Sequence, residues 1–172
     1  MTGIAAVIRL RPIARAHSVV LGALLAGFSA ATAAADIGLS GGTWFRTIGA
    51  TQLEAGPGTD FVSPVDADVM IATLTITNTG GAAWSVRVAR TGSESDWPAG
   101  VMVAVRRRGG LEENGLVDGT SYRPLTSDLQ TLFSGSGDYP SIQILLRLDG
   151  VSVHTVPGPY TLAIRYDIET SG

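Results

Sequence analysis

The sequence predicts an all-β protein, an antiparallel β-sandwich of about seven strands formed by residues 36–172. Apolar residues in this part recur at every second position, and no helical period of three and four residues is found. Gly, Pro, Asn and Asp, the residues that favour turns, separate the alternating stretches at short intervals. Because the chain has no cysteine, packing alone must hold such a sandwich together. A closed β-barrel is the alternative architecture.

Residues 1–35 are predicted to be a secretory signal peptide that precedes a single domain. The basic region at its start contains Arg9, Arg11 and Arg15. An apolar stretch, "VVLGALLAGF", follows at 19–28, and the alanines at 33–35 fit the small-x-small rule for cleavage before Asp36. An uncleaved membrane anchor is the alternative, although a run so rich in Ala and Gly is weakly hydrophobic for a spanning helix. We therefore expect an exported protein of the periplasm, cell surface or extracellular space, which meets a membrane only through this leader.

The first half of the predicted domain contains three strands. The first is "TWFRTI" at 43–48. In "VMIATLTIT" at 69–77, the residues predicted to face the core are Met70, Ala72, Leu74 and Ile76. "NTGG" at 78–81 predicts a tight turn, because Asn and Gly tolerate positive φ. The inward residues of the next stretch, 82–90, are Trp84, Val86 and Val88, and two alternating stretches around one turn predict a β-hairpin.

The second half contains four further strands. They lie at 101–108, 120–126, 141–150 and 159–169, and Pro124 predicts that the second of them is at a sheet edge. The residues predicted to face the core are Val101, Val103, Val105, Ile142, Ile144, Leu146, Leu148, Tyr160, Leu162, Ile164, Tyr166 and Ile168. The last strand has the most regular alternation in the chain, so we expect it to contribute strongly to the core.

The residue inventory argues against an enzyme. The chain has no lysine and no cysteine, which excludes lysine-based covalent chemistry, a cysteine nucleophile and a thiolate metal site. His154 is the only histidine after the leader, and no nucleophile-elbow motif accompanies it. Acidic pairs occur in polar loops, where solvated carboxylates are expected; calcium bound by "DAD" at 66–68 or "SGSGD" at 134–138 is the alternative. We predict no catalytic residue, no bound metal and no cofactor.

Charge and exposed aromatic residues limit the possible partners. The formal net charge is −3 and becomes more negative without the leader's arginines, which argues against nucleic acid. "RRR" at 106–108 is either a charged strand end, which Glu112 and Glu113 could neutralise, or a contact for an anion such as phosphate or polysaccharide. The residues predicted as possible ligand contacts are Trp97, Arg106 and Arg108.

Two stretches carry a resemblance to known families. "ATLTITNTGGAAWSVRVAR" at 72–90 resembles the strand–turn–strand unit of immunoglobulin-like domains secreted by bacteria, and "VPGPYTLAIRYDIE" at 156–169 resembles the closing strand of pilin-like and spore coat protein U-type domains. The resemblance implies an immunoglobulin-like sandwich and a structural role at the cell surface. It also implies self-assembly, in which an N-terminal strand is donated to a neighbour. The residues that could alternate in such a donor strand are Ile37, Leu39, Gly41, Thr43 and Phe45.

We therefore expect a non-catalytic, exported structural or adhesive component of the bacterial cell surface, which assembles with itself or with a surface partner protein. A secreted module that binds carbohydrate or another ligand is the alternative. An enzyme is the third hypothesis, and the missing Cys and Lys disfavour it.

Overall fold

The computed structural model describes residues 4–12, 35–67, 69–92, 97–109 and 115–170. These residues form eleven β-strands and one short 3-10 helix, Ala50–Gln52, and they contain no α-helix. The predicted all-β fold is therefore confirmed. The strands lie in two separate sheets and not in one closed barrel.

The five-stranded sheet contains both the first and the last strand of the described chain. Its strands, in spatial order, are β3 (Thr43–Ile48), β1 (Ile4–Pro12), β11 (Pro159–Thr170), β6 (Ala83–Thr91) and β9 (Gln130–Ser136). β1 is parallel to β11, and the other neighbours in this sheet are antiparallel. β3 and β9 are its edge strands.

The six-stranded sheet is entirely antiparallel. Its strands, in spatial order, are β2 (Asp36–Gly41), β5 (Ala72–Thr77), β10 (Tyr139–Asp149), β7 (Met102–Arg107) and β8 (Arg123–Pro124). The short strand β4 (Val65–Asp66) pairs with β10 as well. The two-residue strand β8 ends the sheet at Pro124, as the proline predicts, because proline has no N–H for a further neighbour.

One hydrophobic core lies between the sheets. Trp84 of β6 is its largest fully buried side chain. The indole ring meets Phe133 of β9 and Tyr139 of β10 edge-on, with ring centroids 6.2 and 5.6 Å away, and so it contacts a strand of each sheet. Its N–H donates a hydrogen bond to the Gly137 carbonyl at 2.8 Å, which satisfies the one polar atom of the side chain. Packing of this kind holds a sandwich that has no disulfide.

Most residues predicted to face the core are buried. They are Ala72, Leu74, Ile76, Trp84, Val86, Val88, Val101, Val103, Val105, Ile142, Ile144, Leu146, Leu148, Leu162, Ile164 and Tyr166. Tyr160 and Ile168, at the two ends of β11, are only partly buried and pack against the core. Met70 is an error of prediction: β5 begins at Ala72, and Met70 lies outside it with half of its surface exposed.

The predicted hairpin around the "NTGG" turn is wrong. β5 belongs to the six-stranded sheet and β6 to the five-stranded sheet, so the turn carries the chain from one layer to the other. Thr79 in this turn is buried, and Asp138, which precedes β10, accepts hydrogen bonds from its N–H at 3.0 Å and its hydroxyl at 2.6 Å. Alternation predicts which side chains face inward, but it does not predict which strand lies alongside.

Four strands were not predicted as strands of this domain: β1, β2, β4 and β9. β1 lies within residues 1–35, the predicted leader, and it pairs with two strands of the main domain. The apolar stretch at 19–28 lies outside the described residues. In the described part of the chain, no helix has the length and apolar character needed to cross a bilayer.

Candidate functional site

The position of β1 defines a feature that we call the strand groove: the space between β3 and β11. The two strands are not neighbours, and β1 pairs with both of them. The parallel register on the β11 side places Ile8 opposite Leu162 and Leu10 opposite Ile164, and the antiparallel register on the β3 side places Val7 opposite Phe45. Because adjacent strands are about 4.8 Å apart, the groove is about 9.6 Å wide between backbones.

The floor of the strand groove is apolar. β3 contributes Trp44 and Ile48, and β11 contributes Leu162, Ile164 and Tyr166, all of which are buried when β1 is in place. The backbone N–H and C=O groups along both walls pair with β1. An empty groove would therefore combine two unpaired strand edges with an exposed apolar floor, a combination that favours the insertion of another strand.

The five predicted donor residues do not form one alternating strand in this structure. Ile37 and Leu39 are partly buried in β2, at the edge of the six-stranded sheet. Gly41 and Gly42 have φ values of 76° and 105°, which suit glycine, and the chain bends there towards the other sheet. Thr43 and Phe45 follow in β3, where both are exposed, Phe45 by 61%. All five residues are thus in strands of their own domain or at the bend between them.

A second feature lies on the outer face of the six-stranded sheet. We call it the arginine–tyrosine cluster, and its members are Arg106, Arg108, Tyr122 and Arg147. The guanidinium carbons of Arg106 and Arg147 lie 4.9 and 4.1 Å from the centroid of the Tyr122 ring, which is cation–π geometry. Arg106 Nη1 also donates to the Thr120 carbonyl at 3.4 Å, and Arg108 Nη1 donates to the Gln143 side-chain oxygen at 3.1 Å.

Asp66 of β4 pairs with one member of this cluster. Its two carboxylate oxygens accept from Arg147 Nε at 2.7 Å and from Nη2 at 3.2 Å. The hydrogen bond from Arg147 is the main reason that the pKa of Asp66 is below its ordinary value, and a hydrogen bond from Tyr122 lowers it further. The same pair raises the pKa of Arg147. The positive charge of Arg147 is therefore compensated by Asp66, because both carboxylate oxygens of Asp66 accept hydrogen bonds from its guanidinium group.

The three consecutive arginines have different roles, which alternation in β7 explains. Arg106 and Arg108 point outward, whereas Arg107 points into the molecule and is 5% exposed. Arg107 Nε donates to the Asp118 carbonyl at 2.6 Å and Nη2 to the Leu116 carbonyl at 3.1 Å, so this side chain anchors the loop before β8. The alternation that predicts Val103 and Val105 inward also places Arg107 on that face, but the sequence does not indicate that main-chain carbonyls are its partners.

Trp97, the third predicted ligand contact, is not part of the cluster. Its indole lines a small apolar cleft with Leu148 and Val151, packs edge-on against Tyr160, and donates to the Val101 carbonyl at 2.7 Å. Val101 directly precedes β7, and Arg106 lies four residues beyond the first residue of that strand, which is about 13 Å along it. Trp97 and the two outward arginines therefore belong to different ends of the sheet.

The other candidate chemistry does not converge in the described residues. His154 is exposed in a turn. Asp138, from the "SGSGD" stretch, bonds Thr79, and this hydrogen bond is the main cause that lowers its pKa. Among the residues that the structure describes, no three His, Asp or Glu side chains are grouped so that they could hold a metal ion. Glu112 and Glu113, the expected partners of the arginine run, lie outside the described residues, as do Asp68, Glu94 and Asp96.

Comparison with known proteins adds no family to this description. No protein-family model matches the chain, and no curated protein matches it.

Proposed function

We propose that this protein is an exported, non-catalytic structural subunit of the bacterial cell surface, and that its strand groove receives a strand from a partner. The observation that supports this proposal is the position of β1. A segment predicted to be removed as a leader fills a central place in the five-stranded sheet. If residues 1–35 are cleaved, β3 and β11 lose their shared neighbour, and the domain needs a replacement strand.

The energetics of an open groove support the same proposal. Each large apolar side chain that passes from water to a buried site contributes about 1.5–3 kcal/mol, and Trp44, Leu162 and Ile164 lie on the floor. An inserted strand would cover these side chains and restore the hydrogen bonds of two strand edges. The partner in this proposal is a second copy of the chain or another surface protein of the same assembly.

β2 (Asp36–Gly41) is our candidate for the donated strand. The resemblance implies a donor that continues to Phe45, but the residues from Thr43 onward belong to β3, a wall of the groove. To donate it, β2 must leave β5, its only neighbour in the sheet. An edge strand has one row of inter-strand hydrogen bonds to lose, whereas a central strand has two. β2 is therefore the less costly of the two N-terminal strands of the processed domain to release, because β3 also forms a wall of the groove.

Export and processing of the full chain test the proposal. We expect mass spectrometry of the exported protein to give Asp36 as the first residue, and light scattering after size exclusion to give oligomers that grow with concentration. The unprocessed chain, produced in the cytoplasm with β1 present, should be monomeric. A processed protein that stays monomeric at high concentration, with slow amide exchange in β3 and β11, would contradict the proposal.

A peptide with the sequence of residues 4–12 provides a second test. Added to the processed protein, it should fill the groove and dissociate the oligomers. In a central strand, every N–H group donates a hydrogen bond to one of the two neighbouring strands. A peptide with proline in place of Ile8 lacks one of these donors and should bind much more weakly. Proline in place of Ala5, near the end of the strand, is the matched control and should have a smaller effect. Equal activity of the three peptides would argue against insertion as a strand.

A further inference from the structure

We infer that the arginine–tyrosine cluster is a binding site for oxyanion groups, the carboxylates or phosphates of an acidic polysaccharide. The site is independent of the strand groove, because it lies on the outer face of the other sheet. Arg106 and Arg108 are its binding residues. Tyr122, which also stacks on Arg147, positions Arg106, and Gln143 positions Arg108.

The charges of Arg106 and Arg108 are compensated less directly than that of Arg147. Both oxygens of Asp66 are engaged by Arg147. Arg106 and Arg108 contact only neutral oxygen atoms, the Thr120 carbonyl and the Gln143 amide, and neither forms an ion pair in the described chain. Among the residues that the structure describes, Arg106 and Arg108 therefore form no hydrogen bond to a carboxylate, although Asp66 also attracts Arg106 at longer range. These two guanidinium groups, one in β7 and one directly after it, give this part of the described surface more positive than negative charge. This is a local excess on a protein whose net charge is negative.

The orientation of Arg106 also favours a ligand. Its Nε is buried and has no hydrogen-bond partner, because the side chain is packed against Tyr122. An arginine whose role was only to satisfy neighbouring carbonyls would place this donor on one of them. Here the stacked ring and the Thr120 carbonyl hold the guanidinium, so its Nη atoms are the donors left for a ligand. A planar guanidinium held in this way is suited to bidentate contact with a carboxylate or phosphate.

The spacing of the two arginines and the residues around them indicate the class of ligand. Arg106 and Arg108 are about 6.6 Å apart along the strand, so they can contact two anionic groups of one extended polymer. The neighbouring outer-face residues Thr73, Thr75 and Gln143 are polar and partly exposed, which extends the hydrogen-bonding surface across β5 and β10. An acidic polysaccharide has repeated carboxylates or phosphates together with hydroxyl groups. It therefore matches both the charged and the neutral part of this face.

Affinity electrophoresis of the full chain tests the site. The probes are polygalacturonate for carboxylates, long-chain polyphosphate for phosphates, and dextran as the neutral polymer. We expect retardation by at least one polyanion and none by dextran, and the stronger of the two polyanions identifies the group that is recognised. Retardation should decrease as salt is added. If neither polyanion retards the chain at low salt, the inference is wrong.

Matched variants distinguish this site from general attraction. The double variant R106Q/R108Q should bind the retarding polyanion with an affinity at least about tenfold lower than that of the wild type, since it removes two charge-assisted contacts. R87Q is the control, because Arg87 lies on the other sheet and pairs with Glu169 at 3.3 Å. Equal losses of affinity in the two variants would show non-specific attraction.

Two further results would overturn the inference. One is binding that survives R106Q/R108Q together with a lower Tm, which would show that the stack on Tyr122 is purely structural. Retardation of the wild type by single-stranded RNA as strong as that by either polymer would also overturn the choice of ligand.

Discussion

Asp66 and Arg147 form a two-bond ion pair, at 2.7 and 3.2 Å, between β4 and β10. β4 is only two residues long, and it pairs with β10 at two positions, Val65 with Leu148 and Asp66 with Arg147. The pair thus adds side-chain contacts to a short stretch of backbone pairing. It also orients Arg147 over the Tyr122 ring, which couples β4 to the segment that leads into β8.

Replacing Asp66 by Asn should destabilise the protein by about 0.2–1 kcal/mol at pH 7, because half-exposed pairs are screened by water. The pKa of Asp66 is lowered by folding. Its contribution is therefore complete above the ordinary carboxyl pKa and is lost as pH falls through the lower folded value. Denaturant unfolding at pH 7 and at acidic pH measures this. The exposed Asp128 supplies the control variant, D128N, and a D66N deficit that is unchanged at low pH would contradict the prediction.

Replacing Thr79 by Val should weaken the turn that links the two sheets. The variant keeps the shape of the side chain but removes the hydroxyl that donates to Asp138 and accepts from the Gly81 N–H. Thr79 is 1% exposed, so we expect a loss of about 1–2 kcal/mol in the free energy of unfolding. Thr77, exposed at the end of β5, is the matched control, and T77V should be nearly neutral. Equal effects of the two changes would show that the buried contact is unimportant.

Gly135 should not tolerate a methyl group. A Cβ atom at this position of β9 would lie 2.9 Å from the far ring atoms of Trp84 and 2.7 Å from Leu116. G135A should therefore cost about 1–3 kcal/mol by overpacking, whereas G49A, where a Cβ would meet no atom within 4 Å, should not. In chemical denaturation, W84F should relieve part of the cost of G135A, since Phe lacks the outer ring atoms of Trp. Strict additivity of the two changes would contradict this explanation.

The Tyr166 hydroxyl is buried in the core without a hydrogen-bond partner. Y166F should leave the free energy of unfolding unchanged or raise it, because the variant removes an unsatisfied polar atom. The matched variant Y160F should lose stability, since the Tyr160 hydroxyl donates to the Val156 carbonyl at 2.6 Å. Thermal unfolding of the two variants measures these effects, and a large loss of stability in Y166F would show that the Tyr166 hydroxyl has a hydrogen-bond partner.

Burial also raises the pKa of Tyr166. The unfolded phenol ionises near its ordinary value of about 10, while the folded one stays protonated, so stability should fall as pH rises above about 10. The fall should be smaller in Y166F. Urea unfolding between pH 8 and 11 measures the difference, and identical pH profiles for the wild type and Y166F would contradict the assignment.

The arrangement of outward and inward residues along single strands was accessible from the sequence. Leu162, Ile164 and Tyr166 alternate with polar residues, and all three are buried. The period of two is a local property of extended backbone, so it needs no knowledge of the neighbouring strand. The same local rule separates Arg106 and Arg108 from the buried Arg107. Composition alone established that the chain has no cysteine, so packing without disulfides must hold the sandwich together.

Strand partners were decided only by the tertiary structure. "NTGG" predicts a hairpin turn, yet β5 and β6 lie in opposite sheets. Thr79 of this turn bonds Asp138 in the β9–β10 connection, which also passes from one sheet to the other. Tyr122 is 16 residues from Arg106 and 25 from Arg147 in the sequence, and the pairing of β7 with β8 and β10 brings them together. β1 enters the sheet between two strands that are far apart in sequence. Pairings of this kind depend on the sum of many weak contacts between distant segments, and no short stretch of sequence contains that sum.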